Sequence, residues 1–264
     1  MATKLISFDL DDTLWPVLPT LKAAELKTWE WLQAESPAFT ERYSLKDIAN
    51  YRIALFRDNP DLQSSIAGLR KRSIAELAMQ AGMDEAAAQQ LSLRAFEVHY
   101  QLRQQVEPFP GTREILEELS QHYLLVAITN GNADIYTTQL GEFFVLSVSA
   151  ESEGVGKPDP VIFSNARQKA EQLTGQSLPE SSVVHVGDSL LHDVQGAKQV
   201  GFAAVWFQHH SLVEPGQRHR YELDNSNSLL KYPEPTTLEE HELARADAEI
   251  TDLSELPAVL ASLD

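Results

Sequence analysis

The stretch from residue 112 to residue 207 alternates short apolar runs with segments of helical periodicity, and this alternation limits the possible folds most strongly. The apolar runs predict strands at 123–129, 144–150, 182–187 and 202–207, and a further short strand is predicted at 4–10. Helices are predicted at 112–121, 160–174 and 191–200, and one more between 130 and 144. Strands that alternate with helices form a parallel sheet, and runs that are apolar throughout indicate that helices cover both sheet faces. The sequence therefore predicts an α/β fold.

The segment 16–105 has a different character, because its apolar residues recur at helical spacing and no run resembles a buried strand. Four helices are predicted there, at 18–35, 45–57, 61–81 and 84–105. We therefore predict two domains. Residues 1–15 and 106–264 form the sheet domain, and residues 16–105 form a helical domain inserted after the first strand.

The C-terminal part does not continue the alternation of apolar runs and helical segments. Residues 211–247 are polar and are predicted to form a surface excursion. Glu249 and Ile250 are predicted to lie in a last edge strand, and Asp252 to begin a final helix that ends at Leu263.

Charge and composition narrow the possible partners. Lys and Arg number 21 against 39 Asp and Glu, a net charge of −18, which disfavours binding to nucleic acids and anionic membranes. The absence of cysteine excludes disulfides, zinc thiolates and thiol nucleophiles. No apolar run reaches the roughly 18 residues of a membrane helix, and Asp9 interrupts the region where a secretory signal would need to be apolar. We therefore expect a cytoplasmic protein, and the sequence does not fix its oligomeric state.

Polar side chains follow several of the predicted strands at the point where each strand ends. The positions concerned are Asp9, Asp11 and Thr13 after the first strand, then Thr129 and Asn130, then Lys157, and finally Asp188 and Asp193. Ligands of parallel α/β sheets gather at the carboxyl ends of the strands, so we expect these residues to converge although they are distant in the chain.

The chemistry of this set indicates phosphate. Three crowded carboxylates (Asp9, Asp11 and Asp188) repel one another unless a cation lies between them, and oxygen ligands of this kind suit Mg²⁺. Lys157 adds a positive charge, while the Thr129 hydroxyl and the backbone amides of the turn at Asn130 offer hydrogen bonds. Such a combination suits a tetrahedral dianion and poorly suits a neutral substrate.

Two carboxylates spaced by one residue allow a division of labour. Asp9 can attack phosphorus to give an aspartyl-phosphate, and Asp11 can protonate the leaving oxygen and then activate water. Two alternatives use similar residues: a phosphoaspartate receiver domain of the signalling type, and a phosphomutase. The length of 264 residues and the inserted helical block argue against a receiver domain.

Four motifs resemble those of the haloacid dehalogenase-like (HAD) hydrolase superfamily, and they occur in that family's order. They are Phe8-Asp-Leu-Asp-Asp-Thr-Leu-Trp15, Ile128-Thr-Asn-Gly131, Gly156-Lys-Pro158, and Val186-Gly-Asp-Ser189 followed by Asp193. The resemblance covers about residues 1–15 and 106–207. It implies a Rossmann-like parallel sheet core with an α-helical cap, residues 16–105, that closes over the site.

The resemblance also implies a role for each matching residue. Asp9 is implied as the nucleophile that is phosphorylated, and Asp11 as the general acid/base whose backbone carbonyl is a Mg²⁺ ligand. The phosphoryl group is held by Thr129, Asn130 and Lys157. The metal site is implied at Asp9, Asp11, Asp188 and Asp193, where Asp193 supports either the metal or Lys157.

The implied activity is that of a phosphatase, a phosphoric monoester hydrolase that acts on a small phosphorylated metabolite. Dehalogenases of the superfamily carry a non-acidic residue two positions after the nucleophile, and Asp11 departs from that pattern. The stretch 125–133 together with the four-helix cap resembles the branch that dephosphorylates FMN and a ribitylaminopyrimidine phosphate.

Other conspicuous residues are predicted to be structural. His185 is interpreted as a core or surface residue, and His209 and His210 as non-ligands, because neighbouring strand residues point to opposite faces. The basic run Arg70-Lys71-Arg72 is interpreted as a solvated helix face, with the alternative that one of its members reaches an anionic substrate.

Overall fold

The computed structural model describes residues 2–62, 65–209 and 244–263. The chain divides into two compact units. Of the described residues, those up to Val17 and those from Val106 onward form a sheet unit, and Leu18–Gln105 form a helical unit. Apart from 244–247, the surface excursion predicted at 211–247 lies outside the described residues, as does His210.

In the part of the chain that the structure describes, the sheet unit is built on six parallel strands. They are Leu5–Phe8 (β1), Leu124–Thr129 (β2), Leu146–Ser149 (β3), Val183–Gly187 (β4), Ala203–Phe207 (β5) and Ala248–Ile250 (β6). The spatial order is β3-β2-β1-β4-β5-β6. In the centre, Phe8 of β1 is in register with Ala127 of β2 and with Val186 of β4. Because neighbouring strands all pair in parallel, the carboxyl ends of β1, β2 and β4 lie side by side at one edge of the sheet.

Within the described residues, the helical unit contains five α-helices. They are Val17–Glu35 (α1, whose first residue belongs to the sheet unit), Pro37–Arg42 (α2), Leu45–Asp58 (α3), Ile66–Gln80 (α4) and Glu85–Arg103 (α5). Side chains that cap the first turns fix where α3, α4 and α5 begin: Ser44, Ser65 and Asp84 each accept a backbone N–H. The unit has its own apolar core, which includes Leu32, Phe39, Ile48, Ile74, Leu77 and Leu91.

Helices of the sheet unit cover both faces of the sheet. They are Thr112–Ser120 (α6), Ala150–Glu153 (α7), Pro160–Thr174 (α8), Gly196–Gln199 (α9) and Leu256–Leu263 (α10), with a π-helical segment at Leu190–Gln195. Alternate strand residues separate into two apolar clusters, as the two-residue period of a strand requires. Phe8 and Val186 join Leu116 of α6 and Leu260 of α10 in one cluster. The other cluster joins residues of the same strands to Phe163 of α8 and Ala197 of α9. The predicted α/β fold with helices on both faces is therefore confirmed.

Two local predictions were wrong. Helix α2 is not among the four helices predicted for this segment. A Ser-Pro pair often lies in a turn, but here Pro37 occupies the first helical turn, where its missing N–H costs nothing. The helix predicted between residues 130 and 144 is absent from this described stretch, which contains only the short 3₁₀ turns Ile135–Thr137 and Gly141–Phe143. Within the described residues, no helix is long and apolar enough to span a bilayer.

Candidate active site

Asp9 extends the central strand β1 by one residue into the edge where the strands end. Its N–H donates to the carbonyl of Val186 at 2.9 Å, so its backbone is held by β4. The side chain is 8% exposed, and its Oδ1 lies 2.6 Å from Nζ of Lys157. Burial raises the pKa of Asp9 to about 7, although Lys157 acts in the opposite direction. The structure thus places a buried carboxylate against a buried ammonium at the predicted position.

Lys157 is fixed by the loop that follows α7. The amide of Asn130 bridges to its backbone: Nδ2 donates to the Lys157 carbonyl at 2.8 Å, and the Lys157 N–H donates to Oδ1 at 2.7 Å. A side chain at position 156 would not fit, because a Cβ on Gly156 would lie 2.8 Å from Oδ1 of Asn130. Burial favours the neutral amine, but Asp193 and Asp9 outweigh it and hold the pKa of Lys157 above its ordinary value. Lys157 is therefore a charged group with little freedom to move.

Asp193 accepts hydrogen bonds from several surrounding donors. Its Oδ1 lies 2.6 Å from Nζ of Lys157 and 3.1 Å from Nε2 of His185, and its Oδ2 accepts the N–H of Ser189 at 2.9 Å. Burial acts to raise the pKa of Asp193, but Lys157 outweighs it and holds that pKa below its usual range. Gly187 makes room for this arrangement, since a Cβ there would lie 2.2 Å from Cγ of Asp193. Asp193 is thus a buried carboxylate engaged through both oxygens.

His185 was interpreted as structural, and it is buried in β4, but it also belongs to this hydrogen-bonded chain. An ionised Asp193 can only accept, so Nε2 of His185 carries a proton. Burial lowers the pKa of His185, so the ring is neutral and Nδ1 is an acceptor. Ser7 Oγ, 2.8 Å from Nδ1, therefore donates to it. The chain of contacts runs from Ser7 through His185 and Asp193 to Lys157.

Asp9, Asp188 and Asp193 form the carboxylate cluster of the site. Each offers one oxygen, and these three oxygens lie within 4.8 Å of one another. Burial, reinforced by Asp193 and Asp9, raises the pKa of Asp188 well above its ordinary value. A cation would relieve this repulsion, and a set of hard oxygen donors fits Mg²⁺.

Asp11 lies on the turn that follows β1, and its side chain is outside the carboxylate cluster. Its Oδ1 accepts the indole N–H of Trp15 at 2.8 Å. Asp12 adopts a left-handed conformation with φ of 61°, and its Oδ1 accepts the N–H of Val17 at 2.9 Å.

Thr129 ends β2 and is buried. Its Oγ1 accepts the N–H of Gly131 at 3.0 Å, which fixes the hydroxyl oxygen and leaves the hydroxyl hydrogen to point elsewhere. Thr13, which also follows β1, makes a long contact of 3.5 Å to Oδ1 of Asp188. The residues predicted at strand ends therefore lie at the carboxyl edge of the sheet or in the segments that follow it, where Asp193 belongs to the π-helical segment Leu190–Gln195.

Comparison with known proteins assigns this arrangement to a family. The sequence profile of the haloacid dehalogenase-like hydrolases matches residues 3–201, about three quarters of the chain. The chain is a member of the haloacid dehalogenase-like hydrolases. The resemblance of its four motifs to this family is thereby confirmed.

The proteins to which this HAD-like hydrolase is similar are named for different activities. The chain is 29% identical over 203 residues to the 5-amino-6-(5-phospho-D-ribitylamino)uracil phosphatase YigB of Escherichia coli, covering 77% of this chain and 82% of YigB. It is 26% identical to the pyrimidine 5'-nucleotidase PynA of Streptococcus pneumoniae, covering 90% of this chain and 98% of PynA. The crystal structure of a 2-haloacid dehalogenase from Pseudomonas syringae superposes with a TM-score of 0.79 at 33% identity, covering 99% of this chain and all of that one.

Sequence reasoning missed three side chains that contact the predicted HAD residues, namely Ser7, Trp15 and His185. A spacing of four residues between Asp11 and Trp15 across a turn was the one local signal for Trp15. Ser7 and His185 carry no such signal, because their hydrogen bond joins β1 to β4 across 178 positions of sequence.

Proposed function

We propose that this chain is a Mg²⁺-dependent phosphomonoester hydrolase in which Asp9 attacks phosphorus. The supporting observation is the position of the Asp9 carboxylate, 2.6 Å from the Lys157 ammonium and within the three-carboxylate cluster. Phosphoryl transfer depends mainly on positioning and on charge neutralisation, and this edge of the sheet supplies both.

In the first step, a carboxylate oxygen of Asp9 forms a bond to phosphorus while the bond from phosphorus to the ester oxygen breaks. Asp11 gives its proton to that departing oxygen, which leaves as an alcohol. Lys157 balances negative charge on the phosphoryl group, and the hydroxyl hydrogen of Thr129 is directed to a phosphoryl oxygen. The side chain of Asn130 holds the backbone of Lys157, so its own contact with phosphate is proposed through the backbone N–H.

In the second step, water attacks phosphorus and gives a proton to Asp11. The bond between phosphorus and the Asp9 oxygen breaks, inorganic phosphate leaves, and both carboxyl groups return to their starting states.

The side chains of Asp9 and Asp188 would hold Mg²⁺, with the backbone carbonyl of Asp11 as a third ligand. When bound, the ion withdraws charge from the phosphoryl oxygens. Asp193 was also predicted at the metal site. Its contacts with Lys157, His185 and Ser189 support a role in positioning Lys157.

The test is turnover of p-nitrophenyl phosphate by the full chain. We expect steady phosphate release with Mg²⁺, loss of that release with EDTA, and its loss in Asp9→Asn. The matched control is Asp84→Asn, which makes the same chemical change at the exposed cap of α5, where Asn caps as well as Asp does. Equal turnover by wild type and Asp9→Asn would exclude the mechanism.

Product analysis separates the alternatives that share this chemistry. Phosphate release beyond one equivalent per chain excludes a receiver domain, which retains its phosphoryl group. Inorganic phosphate as the product, in place of a phosphate isomer, excludes a phosphomutase.

A second candidate activity is dehalogenation, because the Pseudomonas syringae structure at 33% identity is named a 2-haloacid dehalogenase. In that reaction Asp9 would attack carbon and displace halide, which needs no protonation of the leaving group. The presence of Asp11, hydrogen-bonded through Oδ1, favours the phosphatase. Halide release from 2-chloropropionate without phosphate release from esters would reverse this preference.

We propose a small phosphorylated metabolite as the substrate, with flavin-pathway phosphates first among the candidates because YigB is named for one. The net charge of −18 supports neither a nucleic acid nor an anionic membrane as a partner. The cysteine-free composition is in keeping with a cytoplasmic enzyme. A panel of phosphate esters that includes FMN, nucleotides and sugar phosphates, scored by phosphate release, would rank the substrates.

A further inference from the structure

Trp15 is held more tightly than its place on a loop suggests. Its side chain is fully buried, in the apolar cluster that also contains Phe8 and Leu14. Its carbonyl accepts the N–H of Asp12 at 2.8 Å, and its backbone pairs with that of Asp11 in an isolated bridge. The indole is therefore a donor whose position is set by packing and by the turn itself.

This donor points at one oxygen of Asp11. The indole Nε1–H donates to Oδ1 at 2.8 Å, and an indole N–H cannot accept a hydrogen bond. As long as this hydrogen bond is made, Oδ1 must be an acceptor. The carbonyl oxygen of a carboxylic acid accepts more strongly than its hydroxyl oxygen, so this hydrogen bond favours Oδ2 as the oxygen that carries the proton of Asp11.

We propose that Trp15 is a positioning residue for the general acid/base of the reaction, because it assigns the transferable proton to Oδ2 of Asp11. This inference rests on the proposed phosphatase function. When the ester bond breaks, the O–H bond at Oδ2 breaks and a new O–H bond forms on the leaving oxygen. When water attacks, Oδ2 takes a proton from it, and Oδ1 remains bonded to Trp15 in both steps.

The consequence is that the loss of rate caused by replacing Trp15 depends on the leaving group of the substrate. Trp15→Phe keeps an aromatic ring in the core but removes the donor, so this hydrogen bond no longer favours Oδ2 of Asp11 as the site of the proton. An alkyl ester needs that proton in order to leave, and a positioned general acid contributes about 10²–10⁴-fold to such a step. A p-nitrophenolate leaves without protonation, so its departure does not depend on Asp11.

The experiment compares kcat/KM for benzyl phosphate and for p-nitrophenyl phosphate, because this ratio reports the steps up to the first irreversible one and the two substrates are similar in size. We expect Trp15→Phe to lower kcat/KM for benzyl phosphate about tenfold or more, and to lower the value for p-nitrophenyl phosphate less than about threefold. In an Asp11→Asn background, adding Trp15→Phe should leave the ratio between the two substrates unchanged, because coupled residues are not additive.

The matched control is Trp206→Phe. This change also removes a buried indole N–H, one that donates to the backbone carbonyl of Asp188 at 2.8 Å, on the loop of a proposed metal ligand. It should lower kcat/KM for both substrates by the same factor.

Each outcome of this experiment is informative. If Trp15→Phe changes both substrates equally, or changes neither, the assignment is wrong although the phosphatase function stands. If the wild type releases no phosphate from either ester, the proposed function itself fails. Should Trp15→Phe not fold, incorporation of 3-benzothienylalanine at position 15 replaces the N–H by sulfur with the ring shape kept, and the same ratio decides.

Discussion

Glu25 is the shared counter-charge of two buried arginines in the helical unit, and its replacement by glutamine should be costly. Its Oε1 accepts from Nη1 of Arg52 at 2.7 Å and from Nη1 of Arg70 at 2.5 Å, and all three side chains are 5–7% exposed. Removing one member of a buried ion pair typically costs about 3–5 kcal/mol, because charge stays behind in a medium that solvates it poorly. We expect Glu25→Gln to lower the free energy of unfolding by about that amount.

The pH dependence of this loss has a definite sign. Burial acts to raise the pKa of Glu25, but Arg52 and Arg70 outweigh it and hold the pKa well below its ordinary value of 4.5. Glu25 therefore contributes its full stabilisation above pH 4.5. This contribution decreases as the pH falls further, because the unfolded chain then takes up a proton that the folded chain does not. The gap between wild type and Glu25→Gln should accordingly narrow below pH 4.5.

Urea unfolding followed by circular dichroism at pH 7 and at pH 3.5 to 4 measures both effects. Glu30→Gln on the same helix is the control, since Glu30 pairs with Lys27 at 2.7 Å while both side chains are 60% exposed. An exposed pair is worth less than about 1 kcal/mol. A cost for Glu25→Gln no larger than that of Glu30→Gln, or a gap that widens in acid, would refute the electrostatic reasoning.

Three further predictions test the proposed roles of residues at the carboxyl edge of the sheet. Protons should compete with Mg²⁺ for the Asp9 carboxylate, because burial raises the pKa of Asp9 to about 7. The Mg²⁺ affinity measured by calorimetry should weaken up to about tenfold per pH unit below 7. An affinity that does not change between pH 6 and 8 would contradict this. His185→Leu should lower kcat about tenfold, because it removes a hydrogen-bond donor to Asp193. His185→Gln offers an amide N–H and should recover part of the lost kcat. Equal kcat values for the wild type and His185→Leu would show that the hydrogen bond is dispensable. Gly187→Ala should lower the free energy of unfolding, measured by heat or urea, by about 1–3 kcal/mol, because the new Cβ would clash with Asp193. It should also lower kcat/KM. A variant as stable as the wild type would show that Asp193 and its surroundings move aside without cost.

The sheet and its functional edge were accessible from sequence because both follow from short-range rules. Apolar runs between helices fix a parallel sheet, and in a parallel sheet all carboxyl ends share one edge, so polar residues after strands must converge. Helix α8 shows the same rule locally. Asp159 caps its first turn and Pro160 opens it, and both residue types are favoured at these helix positions.

The errors arose where one pattern permits two structures. A Ser-Pro pair is compatible with a break or with the first turn of a helix, and only packing of Phe39 into the helical core decides for α2. The stretch between β2 and β3 has helical spacing, but Asp134 caps a turn that ends after Thr137, and the backbone of residue 141 approaches too closely for a side chain, since a Cβ there would lie 2.7 Å from Cα of Tyr136.

The remaining omissions concern charged or polar residues whose partners are distant in sequence. Arg70 belongs to a basic run that is typical of a solvated face, yet it is 6% exposed because its partner Glu25 lies on another helix, 45 positions earlier. His185 likewise has a partner on β1. Burying such a group is favourable only when its partner is already in place, since an unpaired buried charge or donor costs several kcal/mol. The energy that decides its location is thus a property of the assembled unit, which no window of neighbouring residues contains.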